Sequence, residues 1–333
     1  MKAIVWTNYG PPDVLKLKDV PKPIPKDNQV LIKVSATTAF AGDVELRGLN
    51  ISFLYRLPLR IFVGFVKPKR ITILGQELAG VIEAVGKDVK LFKVGDRIFG
   101  GTGFGMGAYA EYICLPEKIE GLAGPLAIKP TNMSYEEAAT VCTGGLDALH
   151  FIRKANIQLG EKVLINGAGG SIGTYAVQLA KHLGAEVTGV DHTEKLDMIL
   201  SIGADHVIDY TQHSFTSLDE TYDVIYDVVG KSPFSGSINS LNQNGRYLIG
   251  NPKISSSIRG SWVSKTSSKS VVTQSATQIT EDLLYLKELI EAGKLKSIID
   301  KSYPLEETAE AHRYVESGNK KGHVIINVNN IYP

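Results

Sequence analysis

The sequence predicts an α/β protein with two domains, one rich in short strands and one built on a doubly wound parallel sheet. Its 333 residues fit about two domains of ordinary size. Short strands with turn signals between them dominate the first third of the chain, whereas strands alternate with helices after about residue 125. The first pattern is typical of a small β-rich domain or barrel, and the second of a parallel sheet.

Composition and charge exclude several classes of protein. Hydrophobic residues make up 43% of the chain and charged residues 21%, which is ordinary for a globular protein with a large core. The net charge of +1 gives no general attraction to nucleic acid, so we expect none to bind. The two cysteines argue against a disulfide scaffold, and the first residues lack the apolar run of a signal peptide. We therefore expect a cytoplasmic protein with no membrane span.

The first domain is expected to consist of strands and turns. Lys2–Trp6 and Val30–Val34 are typical short strands, and the prolines of Pro21–Pro25 exclude a helix between them. A further strand is predicted over Tyr109–Leu115. These elements justify the prediction of a β-rich fold for this part of the chain.

The stretch 55–70 mixes basic and apolar residues within this domain. One interpretation is a substrate lid or a patch that contacts a membrane surface, because cations beside apolar side chains suit an anionic interface. The other interpretation is a loop whose aromatic side chains pack inward. The cations of the stretch are Arg56, Arg60, Lys67, Lys69 and Arg70.

Helices enter the pattern in the second part of the chain. Ser134 followed by Glu137 predicts a helix that begins with a capping box. The apolar stripe of Thr280–Ala292 predicts an amphipathic helix. The serine-rich stretch Ser255–Ser270 is expected to be a loop, and Val271–Thr273 the last strand of the sheet.

The segment Val163–Lys181 predicts a dinucleotide site. Val163–Asn166 is a short apolar strand, a glycine turn follows it, and an amphipathic run completes a strand–turn–helix unit. Gly167, Gly170 and Gly173 give the spacing G-A-x-G-x-x-G. Glycines let the backbone approach a pyrophosphate, and the helix N terminus favours the anion. The alternative is a purely structural turn in an ordinary α/β protein.

An acidic residue follows the unit at a suggestive distance. Asp191 ends the next apolar run, 18 residues after Gly173, close to the ~20-residue offset at which a carboxylate meets the adenosine ribose. A carboxylate there favours NADH, since it would repel the 2′-phosphate of NADPH, but Lys195 could offset that repulsion. The expected cofactor is therefore written NAD(P)H. The alternative role of Asp191 is the N-cap of the following helix.

Taken together, these segments resemble the medium-chain dehydrogenase/reductase superfamily, in particular its zinc-free, zeta-crystallin-like quinone oxidoreductases. The resemblance implies a GroES-like catalytic domain of residues 1–124 and 293–333, and a Rossmann domain of residues 125–292. It also implies a homodimer, with the predicted strand Val271–Thr273 at its interface. The segments that carry the resemblance are 74–86, 94–100, 107–116, 133–140, 163–181, 200–210, 222–230 and 303–328.

The zinc members of this superfamily need a set of metal ligands that this sequence lacks. Phe40 occupies the position of the first cysteine ligand, and Gln76 that of the histidine ligand. Cys142 lies near the third position, and the loop of four cysteines that binds a second zinc is absent. We therefore expect no metal.

Without a Lewis acid, a conjugated acceptor is the better substrate. A quinone or an α,β-unsaturated carbonyl delocalises the incoming charge, so the protein need only position acceptor and nicotinamide and exclude water. The resemblance thus implies a quinone or enone reductase acting on a small molecule. Alternatives are an alcohol or aldehyde dehydrogenase, and a non-catalytic nucleotide-binding or membrane-surface-associated relative.

Three residues are candidates for the proton donor. Tyr109 follows a glycine-rich loop, Tyr55 lies in the basic and apolar stretch, and Asp43 lies at a turn of the family's catalytic domain. Each has a structural alternative. The tyrosines can simply pack, and Asp43 can cap a helix.

The resemblance also implies cofactor contacts at matching positions. Thr143 and the segment Ile249–Asn251 are expected beside the nicotinamide, and Val229 and Gly230 beside the adenosine ribose. Lys321 is either a phosphate contact or a solvated side chain. The full set of expected contacts is Thr143, Gly167, Ala168, Gly169, Gly170, Ser171, Ile172, Gly173, Asp191, Lys195, Val229, Gly230, Ile249, Gly250, Asn251 and Lys321.

Overall fold

The computed structural model describes residues 1–329, which form fifteen strands and ten α-helices. The strands are β1 (Lys2–Trp6), β2 (Leu15–Asp19), β3 (Gln29–Thr38), β4 (Glu77–Val85), β5 (Arg97–Gly101), β6 (Tyr112–Pro116), β7 (Leu126–Ile128), β8 (Lys162–Asn166), β9 (Glu186–Asp191), β10 (His206–Asp209), β11 (Tyr222–Asp227), β12 (Leu241–Ile249), β13 (Ser270–Val272), β14 (Ile299–Pro304) and β15 (His323–Asn327). The helices are α1 (Ala41–Gly48), α2 (Phe53–Val63), α3 (Tyr135–Ala139), α4 (Val141–Ala155), α5 (Ser171–His182), α6 (Leu196–Ser201), α7 (Phe234–Asn239), α8 (Ile254–Thr266), α9 (Thr280–Glu291) and α10 (Thr308–Glu316). In residues 1–329 every helix is too short or too polar to cross a membrane.

The chain divides into two compact units. The first comprises Met1–Thr143, Gln278–Glu291 and the chain from Ser297 onward. The second comprises Gly144–Thr277 and Ala292–Lys296. The sequence pattern predicts a boundary between the domains near residue 125. In the structure this boundary lies later, after Thr143.

The short helix α3 explains this difference. The capping box is present as predicted, because the Ser134 hydroxyl accepts from the Glu137 N–H at 3.1 Å and the Glu137 carboxylate accepts from the Ser134 N–H at 2.8 Å. The helix then packs on β3 and β4, which belong to the first unit. The change of pattern near residue 125 therefore marks where helices begin and not where the first unit ends.

A seven-stranded sheet forms the centre of the first unit. Its order is β14-β15-β3-β4-β5-β7, and β6 also pairs with β3. The ten-residue strand β3 pairs with β4, β6 and β15 along its length. Alternate residues of β3 (Val30, Ile32 and Val34) are buried with Leu78 and Ile82 of β4. Leu31 and Thr37, which point to the other face, are buried as well, so most of β3 is covered on both faces.

The stretch 55–70 contains a helix, so the interpretation as an inward-packed loop is wrong. Helix α2 runs through Pro58, whose ring removes one backbone hydrogen bond. It is held by Leu59, Phe62 and Val63, which follow the helical spacing and pack on the core of the first unit. Most of its other apolar side chains are exposed. Apolar residues on both faces hide the helical period, which is why the sequence pattern missed it.

The second unit is a six-stranded sheet in which all neighbouring strands run parallel. Its order is β10-β9-β8-β11-β12-β13. The strand order reverses between β8 and β11, as the prediction of a doubly wound sheet requires. Ligands of such sheets bind outside the carboxyl ends of the strands at this switch point. The α/β fold class with a Rossmann-type sheet is thereby confirmed.

One stretch beside this sheet differs from its prediction. Ser255–Ser270 is mostly helix, since twelve of its residues belong to α8. The helix packs through Gly260, where an added Cβ would lie 2.7 Å from the side chain of Val271. A glycine contact leaves no apolar stripe in the sequence, so the prediction of a loop was wrong. The last strand, β13, is shifted by one residue from its predicted bounds.

Candidate functional site

A tight glycine turn joins β8 to α5 in the second unit. Asn166 ends the strand and Ser171 begins the helix. Gly167 has a φ of +88°, a region that favours glycine. A Cβ on Gly173 would lie well under 3.0 Å from the Gly167 carbonyl oxygen, so only glycine fits there. The two outer glycines of the predicted spacing therefore have structural causes in the turn itself.

The turn is open at Gly170, whereas the Lys195 side chain packs against Gly169. A Cβ on Gly170 would meet nothing closer than 3.5 Å, and Ala168 is buried beneath the turn. Because α5 begins at Ser171, the N–H groups of its first turn, including that of Ile172, follow directly after Gly170. An uncrowded backbone at a helix N terminus fits an anion such as a pyrophosphate.

Asp191 lies at the end of β9, and its carboxylate is fixed by three contacts. One oxygen accepts from the Gly169 N–H at 2.8 Å, and the other from the His192 N–H at 2.8 Å. The Lys195 ammonium lies 3.1 Å from the second oxygen, and both side chains are buried. Asp191 is thus tied to the glycine turn, whereas the side chain that caps the following short helix is that of His192. The predicted acidic residue and the predicted lysine form one buried ion pair.

The loop after β11 is organised by Asp227, which the sequence analysis missed. Its buried carboxylate accepts from the Gly230 N–H at 2.9 Å and from the Ser232 N–H at 3.0 Å. The amide of Asn166 and the hydroxyl of Tyr247 also donate to it, at 2.9 and 3.2 Å. An aspartate at the carboxyl end of a strand beside the glycine-turn strand was the available signal.

Four predicted cofactor contacts lie in the loops that this carboxylate supports. Gly230 has a φ of +69° and lies against the Asn251 carbonyl, which leaves no room for a Cβ. The Gly250 N–H donates to the carbonyl of Asp227 at 2.9 Å, directly after buried Ile249. The structure therefore brings the loops after β11 and β12 together at one edge of the sheet.

The remaining predicted ribose contact also lies at this edge. A methyl carbon of Val229 is 2.7 Å from the position that a Cβ on Gly167 would take. The Val229 side chain is partly exposed next to the glycine turn. The structure thus places the predicted contacts of the second unit around the carboxyl ends of β8, β9, β11 and β12.

In the first unit, two candidate proton donors meet in a buried cluster. The Tyr109 hydroxyl lies 3.2 Å from a carboxylate oxygen of Asp43 and 3.1 Å from the Thr38 carbonyl. The other Asp43 oxygen accepts from the Gly75 N–H at 3.2 Å and from the Gln76 amide at 3.5 Å. Asp43 and Tyr109 are completely buried. Neither side chain can therefore touch a substrate without a change in this packing.

Burial controls the protonation of this pair. It raises the pKa of Asp43 to about 7, although the hydrogen bonds from Gly75 and Gln76 act against it. Burial, followed by the nearby Asp43 charge, raises the pKa of Tyr109 well above its ordinary value. Tyr109 is consequently a hydrogen-bond donor at neutral pH, and burial favours the neutral form of the Asp43 carboxyl.

The cluster continues to the protein surface through residues that the sequence analysis missed. The His312 Nε2 lies 3.0 Å from the Tyr109 hydroxyl, and its Nδ1 lies 3.4 Å from the Arg47 guanidinium. Arg47 donates to the Gly10 carbonyl at 3.0 Å and pairs with Glu316. Burial, followed by the Arg47 charge, lowers the pKa of His312 to about 3, so this ring is neutral. Lone histidines and arginines scattered through a sequence give no signal of such a network.

A second buried carboxylate holds one predicted cofactor contact. Glu77 accepts from the Thr38 hydroxyl at 2.6 Å and from the Thr143 N–H at 2.7 Å. Burial raises the pKa of Glu77 to about 7. Glu77, the first residue of β4, therefore holds the backbone of Thr143 in place.

Two predicted site residues stand apart from these clusters. The Tyr55 side chain is 56% exposed on α2. Lys321 precedes β15, and its N–H donates to the Asp300 carboxylate at 2.9 Å. Lys321 is therefore fixed by its backbone, and its contact with a phosphate stays a prediction.

The positions that match zinc ligands in relatives meet in the first unit, but without ligand side chains. A Cβ on Gly42 would lie 2.8 Å from the Gln76 amide and 3.4 Å from the Phe40 ring. The Cys142 sulfur lies beside Gly101, whose added Cβ would be 3.5 Å from the Gln76 carbonyl oxygen. Neither a phenyl ring nor a neutral amide is a usual zinc ligand. Within residues 1–329, no group of three or more His, Cys, Asp or Glu side chains could hold a metal ion.

Two family models match the chain. One, described as an alcohol dehydrogenase GroES-like domain, matches residues 26–123. The other, described as a zinc-binding dehydrogenase, matches residues 202–326.

Similar proteins include reductases of plants and bacteria. The chain is 32% identical to a 2-methylene-furan-3-one reductase of Solanum lycopersicum, over 98% of this chain and 79% of that protein. It is 30% identical to an NADPH-dependent alkenal/one oxidoreductase of Arabidopsis thaliana, a chloroplastic protein, over 98% of this chain and 79% of that protein. A solved structure of the quinone oxidoreductase from Coxiella burnetii is 30% identical and has a TM-score of 0.86, covering 99% of both chains.

Proposed function

Because this chain belongs to the quinone oxidoreductase branch of the medium-chain dehydrogenase/reductase superfamily, we propose that it transfers hydride from a reduced nicotinamide dinucleotide to a quinone or an α,β-unsaturated carbonyl. The resemblance noted in the sequence is thereby confirmed, as is the expectation of an oxidoreductase. The relatives are named as enzymes acting on quinones, alkenals and a methylene-furanone, and these names support quinones and enones as the substrate class.

The observation that carries the proposal is the open glycine turn at the switch point of the second unit. Gly173 lets α5 approach the turn closely, and the uncrowded Gly170 leaves room for a pyrophosphate. Asp227 holds the loop after β11 in place next to this turn. The bound nicotinamide ring supplies the hydride, and these residues bind and orient the cofactor.

We propose that the reaction proceeds without a metal. Phe40 and Gln76 stand where ligands would be needed, and neither offers a zinc donor. A conjugated acceptor spreads the incoming charge over its own π-system, so the protein has less charge to stabilise. The proposal therefore favours enones and quinones over simple alcohols and aldehydes.

The candidate proton donors have different roles in this proposal. Asp43 and Tyr109 are buried, so they act as positioning groups behind Gln76. Tyr55 is the candidate whose side chain is exposed. Replacement of Tyr55 by Phe is expected to lower turnover of an enone, whereas replacement of Tyr109 by Phe should act through stability.

The Asp191–Lys195 pair is proposed to determine the choice of cofactor. The Lys195 ammonium is already neutralised by a carboxylate 3.1 Å away, so it offers little net charge to a 2′-phosphate. The Asp191 carboxylate can accept from a free ribose hydroxyl. The pair therefore favours NADH, although one relative is named as NADPH-dependent.

A fluorescence titration with NADH and NADPH tests the cofactor and the binding site together. Wild type is expected to bind NADH more tightly, and Asp191→Ala to shift toward NADPH, because the variant frees Lys195 for a phosphate. Lys195→Met is the matched control and should not gain NADPH affinity. Tighter NADPH binding by wild type would contradict the proposal that Asp191 contacts the ribose. If neither nucleotide bound, the proposed dinucleotide-dependent activity would be contradicted.

Turnover assays separate the proposed reaction from its main alternative. A quinone or an enone is expected to oxidise the reduced cofactor in the presence of the protein. This activity should not fall after dialysis against a chelator. Reduction of NAD⁺ by simple alcohols, restored by added zinc, would instead favour an alcohol dehydrogenase.

The proposed assembly is a homodimer in a reducing cytoplasm. Strand β13 is the last of its sheet and has a neighbour on one side, β12. Such an edge can pair with its copy. Light scattering should then give twice the chain mass, and Val271→Pro should shift the mass to that of one chain.

A further inference from the structure

The most unusual surface of the first unit is the outer face of α2 together with the turn that follows it. Six large apolar side chains on this face and turn are exposed. They are Phe53, Leu54, Leu57, Ile61, Phe65 and Val66. Phe53 is 85% exposed and Ile61 70%. A contiguous apolar surface of this kind marks an interaction site.

The apolar face is rigidly presented. Leu59, Phe62 and Val63 anchor the opposite side of α2 in the core of the first unit. After the helix, the Gly64 carbonyl accepts from the Tyr9 hydroxyl at 2.7 Å. A helix anchored on one side cannot turn its exposed apolar residues inward. These residues therefore need a partner outside this unit.

Cations surround the face, and acidic residues are absent from it. Between Glu45 and Glu77 the sequence contains no aspartate or glutamate. Arg60 lies over the Phe65 ring at 5.7 Å, and Arg70 over the Phe62 ring at 4.4 Å. The other basic side chains of this region are Arg56, Lys67 and Lys69, all exposed. The face is thus both apolar and positively charged.

We propose that this face docks the protein on the surface of an anionic lipid bilayer. The apolar side chains of α2 enter the acyl boundary while the cations remain at the level of the headgroups. Helix α2 has eleven residues and is far too short to cross a membrane, which needs about 20. The protein would therefore lie on the bilayer and not span it.

Self-association through the same face is the weaker explanation. A two-fold contact would bring together two copies of the same positively charged face. Such like-charge contacts oppose association, whereas an anionic bilayer attracts every cation at once. The charge of the face therefore favours lipid over a second copy.

Vesicle flotation tests the proposal. The probe is phosphatidylcholine vesicles with and without phosphatidylserine. Wild type should float with the anionic vesicles only, and less so at high salt. Ile61→Ser should weaken partition roughly tenfold, from the lost burial of one apolar side chain. Arg56→Gln and Lys67→Gln should each weaken it about fivefold.

A matched control separates a specific face from general stickiness. Ile258 lies on α8 in the second unit and is 67% exposed, close to the value for Ile61. Ile258→Ser should leave flotation unchanged. Equal loss in both variants, or no flotation of wild type, would overturn the proposal. So would a case in which Ile61→Ser leaves flotation intact but raises the KM for an enone, which would identify α2 as a substrate lid.

Discussion

The buried carboxyl of Asp43 predicts an unusual dependence of stability on pH. Its pKa lies at about 7 in the folded protein, compared with an ordinary value of 3.8. Between these two values the unfolded chain releases a proton that the folded chain keeps. Stability from this group is therefore fully present below about pH 4 and is lost as the pH rises through 7. One pKa unit is about 1.36 kcal/mol, so the loss is about 4 kcal/mol at most.

Asp43→Asn is the perturbation that isolates this effect. The amide resembles the neutral acid, since it can accept from the Gly75 N–H and has no charge to lose. The variant should gain stability relative to wild type as the pH rises from 4 to 8, by up to about 4 kcal/mol. The opposite contribution of His312, whose pKa is lowered, is present in both proteins and cancels in the difference.

Urea unfolding followed by tryptophan fluorescence measures the difference. The chain has two tryptophans, of which Trp6 is buried in the first unit and Trp262 is 68% exposed. A Trp262→Phe background makes Trp6 the reporter of the first unit. Asp88→Asn, at an exposed carboxylate of the same unit, should follow wild type at every pH. A stability difference between Asp43→Asn and wild type that stays constant from pH 4 to 8, or that falls, would refute the reasoning.

Five further variants test other parts of the structure. Gly173→Ala should lower the stability measured in thermal melts by about 3 kcal/mol, because the added Cβ meets backbone atoms. Gly170→Ala should leave the melting temperature unchanged but weaken dinucleotide binding. Glu316→Ala should lower the free energy of unfolding, measured in urea, by about 3 kcal/mol, because it leaves the buried Arg47 guanidinium without its carboxylate partner. Arg47→Met should lower it less, because the remaining Glu316 carboxylate reaches water. Tyr109→Phe should cost about 2 kcal/mol in the same assay, since the hydroxyl serves three buried partners. Equal stabilities within each of these comparisons would contradict the packing described.

The dinucleotide turn was predictable because its signals are local. The positive φ of Gly167 and the contact of Gly173 with the Gly167 carbonyl both arise within seven residues of chain, and the strand and helix around them carry their own periods. The distance to Asp191 follows from one helix and one strand of ordinary length. Such features depend on backbone geometry, which spacing in a sequence records directly.

The buried cluster of the first unit was predictable only in part. Asp43 and Tyr109 were singled out as separate candidates, but their contact joins residues 66 positions apart. His312 is 203 positions from Tyr109, and Arg47 is 265 from His312. Contacts over such separations depend on the strand order of the sheet, which the local pattern does not contain.

Helix α2 was not predicted because its local sequence signals conflict with one another. Pro58 argues against a helix, and the apolar residues around it have no single periodic face. Tertiary packing of Leu59, Phe62 and Val63 outweighs the proline. The residues that conceal the helix from the sequence pattern are the ones proposed to meet a bilayer.

The pairing of β15 with β3 has a consequence for biosynthesis. Ile325 lies opposite Thr38, so the central strand of the first unit completes its hydrogen bonds only with residues made after the second unit. The second unit is nearly continuous, from Gly144 to Thr277, and all six of its strands lie in that segment. On the ribosome the second unit can therefore fold while the first still waits for its closing strands. Until then β3 presents an unpaired edge, and this interval is when the nascent chain most needs a chaperone.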